Sequence, residues 1–153
     1  MSVGEVVSGS TIAGLMTGDG RRPRVAIVGG TPSSAMVATV LCDQFGCVPL
    51  NTRTGEAILG LIRRDVPLDL VIVDLAVPDM DGFVAVELIR TLRERGELPI
   101  VALADDRAEM AAPRARAAGF AGSVLKPYSP RELYAAIHAA LTLATPREVA
   151  GHA

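Results

Sequence analysis

The stretch LDLVIVDLAVPDMDG, residues 68–82, decides the fold of this chain. Its first half contains the unbroken aliphatic run of residues 70–73, which ends at Asp74, and its second half contains the proline, aspartates and glycine that favour turns. A continuous apolar run is typical of a strand that is covered on both faces, as strands of a parallel sheet are. The stretch therefore predicts a buried strand with Asp74 at its carboxyl end, followed by a loop.

Strand and helix patterns alternate on both sides of this stretch. Further strands are predicted over residues 25–28, 47–52, 99–103 and 122–125. Helices are predicted over residues 32–45, 56–64, 83–94, 106–118 and 130–143. This alternation predicts a single α/β domain, a doubly wound five-stranded parallel sheet with five helices on its two faces.

Local signals refine these elements. Pro49 removes a backbone donor and places the second strand at an edge of the sheet, and Pro113 should kink or shorten the fourth helix. Ser129 followed by Glu132 predicts a capping box at the start of the last helix. The apolar face of the first helix is predicted to consist of Met36, Val37, Val40 and Leu41.

Composition narrows the function class. The chain has 153 residues, of which 50% are hydrophobic and 21% charged, and this length and composition fit one globular domain. Its net charge is −2, so it has no overall positive charge that would attract nucleic acid or an acidic membrane. Two cysteines cannot build a disulfide framework, and Cys42 and Cys47 are predicted to be buried. No signal peptide or membrane span is predicted, so we expect a cytoplasmic protein.

The domain is predicted over residues 24–143. Residues 1–23 lack a periodic pattern and are predicted to form a flexible N-terminal tail, and residues 144–153 a short C-terminal tail. About ten residues after the last helix cannot build a DNA-binding unit, so we expect a stand-alone domain without one. The sequence leaves open whether the domain forms a homodimer.

The carboxyl ends of the predicted strands meet at one edge of the sheet, where ligands gather in such folds. Lys126 is notable there because the other 14 of the 15 cationic residues are arginines. A lysine suits a position that needs a compact charge, which can pair with a carboxylate or a phosphate. The residues selected at this edge are Gly29, Gly30, Asp74, Ala104, Asp105 and Lys126.

The loop from Asp74 through Pro78 to Asp81-Gly82, with Lys126-Pro127-Tyr128 about fifty residues later, resembles the receiver domain of bacterial response regulators. The resemblance covers residues 24–143 and implies the CheY-like, flavodoxin-like fold. It implies that Asp74 is the phosphoacceptor that attacks a phosphohistidine, and that Lys126 pairs with Asp74 and then with the phosphate. It further implies a cis bond before Pro127 and a magnesium-ligand position at the Ala76 carbonyl.

The chain departs from the pattern of that family at four positions. Gly29 and Gly30 stand where two acidic residues normally hold magnesium, which requires oxygen ligands. Ala104 stands in place of a hydroxyl residue, and Ser123 in place of an aromatic one. Other acids nearby are Asp79, Asp105 and Asp106, although helix capping explains the last two more simply.

We therefore expect a degenerate receiver, a pseudo-receiver of two-component phosphorelay signalling that is not an enzyme. Asp74 and Lys126 would rest as an ion pair, with no cofactor; Mg²⁺ would be needed only if the domain were active. The domain would act by phosphorylation-independent docking to a histidine kinase or another signalling protein, with no membrane partner. The docking surface is predicted around the last helix, at Tyr128, Leu133, Tyr134 and Ile137, with the helix kinked at Pro113 as the alternative.

Two other hypotheses stay open. The first is a slow but active receiver, a phosphoprotein modified on Asp74 by a histidine kinase. The second is a small anion- or nucleotide-binding protein that uses the Gly29-Gly30 turn as a phosphate cradle, although Ser33 or Ser34 capping the helix is the simpler interpretation. His138 is interpreted as a packing or surface residue.

Overall fold

Five parallel strands form the sheet, in the order β2-β1-β3-β4-β5. The computed structural model describes residues 14–94 and 97–144. The strands are β1 (Arg24–Val28), β2 (Val48–Arg53), β3 (Leu70–Asp74), β4 (Ile100–Ala104) and β5 (Gly122–Leu125). The helices are α1 (Pro32–Gln44), α2 (Gly55–Arg63), α3 (Gly82–Leu92), α4 (Arg107–Ala111), α5 (Pro113–Ala118) and α6 (Pro130–Leu143).

The helices cover both faces of the sheet, so the doubly wound α/β fold is confirmed. Helices α1 and α6 pack on one face, against the side chains of Val25, Ile27 and Ile72. Helices α2, α3 and α5 pack on the other face, against Val71 and Val73. Strand β3 lies in the middle of the sheet and all its residues are buried, as its apolar run predicts.

Local signals in the sequence correspond to elements in the structure. Pro49 lies on β2, which is an edge strand as predicted. The Ser129 hydroxyl accepts a hydrogen bond from the Glu132 N–H (3.2 Å), and the Glu132 carboxylate accepts one from the Ser129 N–H (2.8 Å), which completes the predicted capping box. These features were predictable because residues close in sequence determine them.

The predicted fourth helix is two helices, so the described residues contain six helices rather than five. Helix α4 ends at Ala111 and α5 begins at Pro113, with Ala112 between them in an extended conformation (φ −66°, ψ 150°). The residue before a proline is disfavoured in the helical region, because the proline ring clashes with its backbone. Pro113 therefore divides the segment instead of kinking it.

Helix α1 does not bury the face that we predicted. Met36, Val37 and Val40 are 65%, 52% and 48% exposed, so most of that apolar face lies at the surface. The smaller side chains of Ala35, Ala38 and Cys42 face the sheet instead. The helix carries apolar residues on all sides, so apolar spacing alone did not identify the buried face.

Two residues of the predicted docking surface belong to the core. Leu133 and Ile137 of α6 have no exposed surface and pack with Ala140 against the sheet. Neither residue can contact a partner of the folded domain, and we remove both from that surface. Their spacing of four residues places them on the same side of the helix, which is the side that the core requires.

The segment 14–23, which the sequence assigns to the N-terminal tail, contacts the domain. Leu15 is 4% exposed and packs in the core cluster of Phe45, and its N–H donates to the Phe45 carbonyl (2.7 Å). The Arg22 guanidinium donates to the carbonyls of Gly46 (3.0 Å) and Cys47 (2.8 Å). Residues 1–13 and 145–153 lie outside the described residues, and for them the two tails stay a prediction.

Both cysteines are free and buried, as predicted. Burial raises the pKa of the Cys47 thiol to about 12 and raises that of Cys42 as well, so neither forms a reactive thiolate near neutral pH. Within residues 14–94 and 97–144, no helix combines the length and the apolar character needed to cross a bilayer.

We expect Leu15→Ala to lower the free energy of unfolding by about 2 kcal/mol or more, because truncating a buried leucine removes apolar contacts and leaves a cavity. The matched control is Met16→Ala, since Met16 is 65% exposed; it should change stability by less than about 0.5 kcal/mol. Urea unfolding measures both variants. Equal, small effects would mean that this segment does not pack against the domain in solution.

Candidate functional site

Asp74 ends the central strand and is the one buried polar or charged residue in the part of the chain that the structure describes, with 3% of its surface exposed. Its Oδ1 accepts a hydrogen bond from the Ala76 N–H (3.1 Å), and its Oδ2 lies 2.8 Å from Lys126 Nζ. A buried carboxylate requires such partners, because it has lost its hydration. Both carboxylate oxygens are therefore engaged within the chain.

Lys126 follows β5 and connects two carboxylates. Its peptide bond to Pro127 is cis, as the resemblance implied. Its Nζ also lies 3.3 Å from Asp105 Oδ1, whose side chain is 69% exposed against 4% for Asp74. Partial burial disfavours the ammonium charge, but the hydrogen bond and charge of Asp74, joined by those of Asp105, raise the pKa of Lys126.

The Gly29-Gly30 turn lies against Asp74. Both residues have left-handed φ values of +86° and +80°. The Gly29 N–H donates to the Arg53 carbonyl (2.9 Å), and the Gly30 N–H donates to the Ala76 carbonyl (3.0 Å). Because both N–H groups donate to carbonyls of the protein, neither is available to bind a phosphate. The structure therefore does not support the hypothesis that this turn is a phosphate cradle.

The start of α1 corrects the predicted cap. Thr31, not Ser33 or Ser34, is the N-cap residue, and its hydroxyl accepts a hydrogen bond from the Ser34 N–H (3.1 Å). The Ser34 hydroxyl in turn accepts one from the Thr31 N–H (3.0 Å). The hydroxyls at the start of this helix therefore serve the helix itself.

Acidic residues of the loop after β3 cap helices. Asp79 accepts hydrogen bonds from the Gly55 N–H (2.8 Å) and the Glu56 N–H (3.1 Å) at the start of α2, which lower the pKa of its carboxyl. It is thus held at α2, and its role as a substitute ligand beside Asp74 is not supported. Likewise Asp106 caps α4 through the Glu109 N–H (2.9 Å).

Asp81 joins the loop to two helices. It caps α3 by accepting from the Phe83 N–H (2.7 Å), and it pairs with Arg114 of α5 (3.0 Å). Desolvation opposes ionisation of Asp81, but the hydrogen bonds outweigh it and lower the pKa of the carboxyl. Gly82 is required next to it, because a Cβ there would lie 2.5 Å from the Leu75 carbonyl oxygen. Pro78 is exposed in the same loop.

The remaining predicted positions lie around the same edge. Ala104 is fully buried at the end of β4, where its carbonyl accepts the Lys126 N–H (2.9 Å) and its methyl group provides no hydroxyl. Ser123 is exposed on β5. Tyr128 is partly buried, which raises the pKa of its phenol.

Tyr134 and His138 lie on α6, away from Asp74 in sequence and in contact with each other. The Tyr134 ring packs edge-on against Phe45 (5.3 Å between centroids) and stacks on His138 (6.0 Å). His138 is exposed, which agrees with its interpretation as a surface residue.

The residues around Asp74 do not fit a magnesium ion. The two glycines provide no side-chain oxygen, the Ala76 carbonyl accepts the Gly30 N–H, and Asp74 is bound to Lys126. Magnesium requires several oxygen ligands at close range in a near-octahedral arrangement. Across the described ranges, moreover, no three acidic, histidine or cysteine side chains are grouped as metal ligands.

Arg53 is the residue of this site that the sequence did not identify. It has a left-handed φ of +66°, its carbonyl accepts the Gly29 N–H, and its Nη2 lies 3.5 Å from the Gly30 carbonyl oxygen. The pairing of β1 with β2 is irregular at this point, between Ile27 and Val28. An arginine in this conformation is uncommon, and nothing in the sequence around it predicts one.

We expect Lys126→Met to lower the free energy of unfolding at pH 7 by roughly 1–3 kcal/mol, because the Asp74 carboxylate would stay buried without its charged partner. Asp105→Asn is the matched control: Asp105 contacts the same ammonium but is mostly exposed, so the change should be below about 0.5 kcal/mol. Denaturant unfolding of both variants gives the comparison. A larger effect at Asp105 than at Lys126 would contradict this account of the pair.

Comparisons with known proteins identify the family of this chain. A family model described as the response regulator receiver domain matches residues 25–138. The sensor histidine kinase GacS of Pseudomonas protegens is 37% identical over 86 residues, which cover 54% of this chain and 9% of that kinase. The DNA-binding response regulator MtrA of Mycolicibacterium smegmatis is 31% identical over 123 residues, which cover 80% of this chain and 52% of that regulator. The chain thus spans a small part of the kinase and about half of the regulator.

Solved structures show the same fold. The chemotaxis response regulator CheY4 of Vibrio cholerae is similar with a TM-score of 0.70 and 21% identity, covering 78% of this chain and 98% of that one. The receiver domain of a Pseudomonas aeruginosa sensor histidine kinase, solved with magnesium in its active-site cleft, has a TM-score of 0.71 and 20% identity, covering 79% and 98%. The family match extends over most of the chain and includes Asp74 and Lys126, and the chain belongs to the response regulator receiver domain family.

Proposed function

We propose that this receiver domain acts in two-component signalling as a pseudo-receiver, whose Asp74 rests unphosphorylated and which works by docking to another protein. The observation that carries the proposal is the Gly29-Gly30 turn beside Asp74, which provides no side-chain oxygen for a metal and whose amides are bonded to the Arg53 and Ala76 carbonyls. That the domain catalyses no reaction of its own, needs no cofactor and is cytoplasmic belongs to the same proposal.

Charge supports an unphosphorylated resting state. Phosphoryl transfer to a carboxylate brings negative charges together, and in such reactions a metal ion and fixed cations neutralise them. Here Lys126 is already paired with Asp74 and Asp105, and positions 29 and 30 are glycines that add no metal ligand. Each 1.4 kcal/mol of lost stabilisation slows a reaction about tenfold, so a barrier raised by several kcal/mol slows it by orders of magnitude.

The exposed apolar face of α1 supports docking. Met36, Val37 and Val40 form a patch on a helix whose one charged residue is Asp43. Helix α6 packs on the same face of the sheet and adds the partly buried Tyr134, which we retain from the predicted surface. Tyr128, also partly buried, stays a candidate at its margin. An apolar patch rimmed by polar residues is typical of a protein interface.

The proposed partner is a histidine kinase or another protein of the same signalling system. The relatives of the chain include sensor histidine kinases and DNA-binding response regulators, which together represent two-component signalling.

A second candidate function is a slow but active receiver. It is favoured by the presence of Asp74 and of Lys126 at hydrogen-bond distance from it. In this case a phosphohistidine donor would still modify Asp74, only slowly, and the domain would be a phosphoprotein.

We expect wild-type protein to show no shifted band on a phosphate-affinity gel after incubation with acetyl phosphate and Mg²⁺, or with a phosphorylated histidine kinase. Asp74→Ala is the control that identifies any signal from this residue. A magnesium-dependent band in the wild type that is absent from Asp74→Ala would reject the pseudo-receiver proposal and establish the slow receiver.

We expect Val37→Asp to weaken binding to a kinase of the same organism by at least about tenfold, because a charge in an apolar interface loses its hydration. The matched control is Ala139→Asp on the exposed side of α6, which should bind as the wild type does. Titration calorimetry measures both, and thermal unfolding checks that both variants fold. Equal affinities would rule out the α1 patch as the docking surface, and binding that requires phosphorylated Asp74 would contradict docking without phosphorylation.

A further inference from the structure

The Gly29-Gly30 turn brings main chain unusually close to Asp74. A Cβ added to Gly29 would collide with the carbonyl oxygen of Asp74. A Cβ added to Gly30 would lie 2.8 Å from Asp74 Oδ2 and 2.5 Å from Ser34 Oγ. Real Cβ atoms do not make contacts this short. With the backbone in this position, there is therefore no room for a side chain at residue 29 or residue 30.

Hydrogen bonds hold the turn in this position from both sides. On one side the Gly29 N–H donates to the Arg53 carbonyl at the end of β2, and on the other the Gly30 N–H donates to the Ala76 carbonyl beyond β3. Arg53 contributes a second contact, from its Nη2 to the Gly30 carbonyl oxygen (3.5 Å). The left-handed φ values of both glycines are accessible to glycine at no cost and are strained for other residues.

We infer that the Gly29-Gly30 turn closes the cation pocket of this receiver with main chain, so that the pocket cannot be restored by returning acidic side chains to these positions. The inference deepens the proposed function and rests on it for the identification of this edge as the former metal site. The Ala76 carbonyl, which the family resemblance assigns to the metal, accepts the Gly30 N–H, which uses one of its two lone pairs and brings the turn next to it. The missing metal site is therefore a property of the backbone and not of two side chains alone.

Arg53 acts in this inference as a positioning residue. Its carbonyl and guanidinium both contact the turn, and its own left-handed conformation directs the carbonyl towards Gly29. Replacing it would not touch Asp74 directly. It would loosen the turn that covers Asp74.

Three glycines of the chain allow the closure to be separated from backbone strain. Gly18 has no positive φ, and an added Cβ would have no atom within 4 Å. Gly20 has a φ of +83°, and an added Cβ there would also have no atom within 4 Å. Gly30 combines a positive φ with the close contacts to Asp74 and Ser34. We expect Gly18→Ala to leave Tm nearly unchanged and Gly20→Ala to lower it by roughly 2–8 °C through strain alone. Gly30→Ala should lower Tm clearly further. Equal losses at Gly20 and Gly30 would show that the turn is not closed against Asp74.

A metal titration tests the pocket itself. Millimolar Mn²⁺, a paramagnetic probe for a magnesium site, should not broaden the amide resonances of Gly30, Asp74 and Ala76 in the wild type. It should not broaden those of Asp74 and Ala76 in the double variant Gly29→Asp/Gly30→Asp, for which Gly18→Asp is the control. If the double variant fails to fold while Gly18→Asp and Gly20→Asp both fold, that also agrees with a closed turn, because Gly20 has a positive φ without the close contacts.

Two results would overturn the inference. One is selective Mn²⁺ broadening at Asp74 in the wild type, and the other is a folded double variant whose Tm rises with Mg²⁺ while that of Gly18→Asp does not. These outcomes are distinguishable from failure of the proposed function. Phosphorylation of Asp74 without a metal would reject the pseudo-receiver proposal but would not contradict the closed turn. A metal bound at Asp74 would contradict the closed turn, whether or not Asp74 is phosphorylated.

Discussion

The buried carboxylate of Asp74 constrains everything that surrounds it. It lies at the end of the middle strand of the sheet, where 3% exposure leaves little hydration, so the protein must supply both hydrogen bonds and an opposite charge. Ala76 provides the first and Lys126 the second. One lysine neutralises one buried acid. Lys126 also pairs with Asp105, whose side chain is exposed and keeps its hydration. Acids at positions 29 and 30 would add negative charge beside Asp74 that a metal would have to offset, so the glycine pair is compatible with a single lysine at this edge.

Much of this site could be predicted because topology alone brings strand ends together. The apolar run before Asp74 predicted a central parallel strand, and the segment before Lys126 predicted another, so their carboxyl ends had to share one edge of the sheet. The ion pair between them followed from charge. Capping by Ser129 and the break at Pro113 were likewise predictable, since each depends on residues within one helical turn.

The errors arose where tertiary packing decides between equivalent local patterns. Helix α1 is apolar on all sides, and its position on the sheet selects the small face of Ala35, Ala38 and Cys42 over the larger side chains. Leu15 carries no periodic signal, and its burial follows from contact with Phe45, thirty residues away. The glycine pair provides no side-chain oxygen, which the sequence alone shows. Its close approach to Asp74 depends on the Arg53 backbone, which the sequence does not encode in any recognisable pattern.

A phosphorylation switch requires two states that a ligand or modification binds with different free energies. The family resemblance implies a hydroxyl residue and an aromatic residue at the two positions that would distinguish such states. This chain has Ala104, which offers no hydroxyl to a phosphoryl group, and Ser123, which has no aromatic ring. In the proposed function, the pairing of Lys126 with Asp74 and the close approach of Gly29 and Gly30 to the same residue hold this edge of the sheet in one arrangement. A domain that has one arrangement can transmit a signal only through the partner that it binds and through the concentrations of the domain and the partner. In the proposed function the receiver fold is therefore a rigid support for the apolar face of α1, and regulation passes to the concentration of the domain and of its partner.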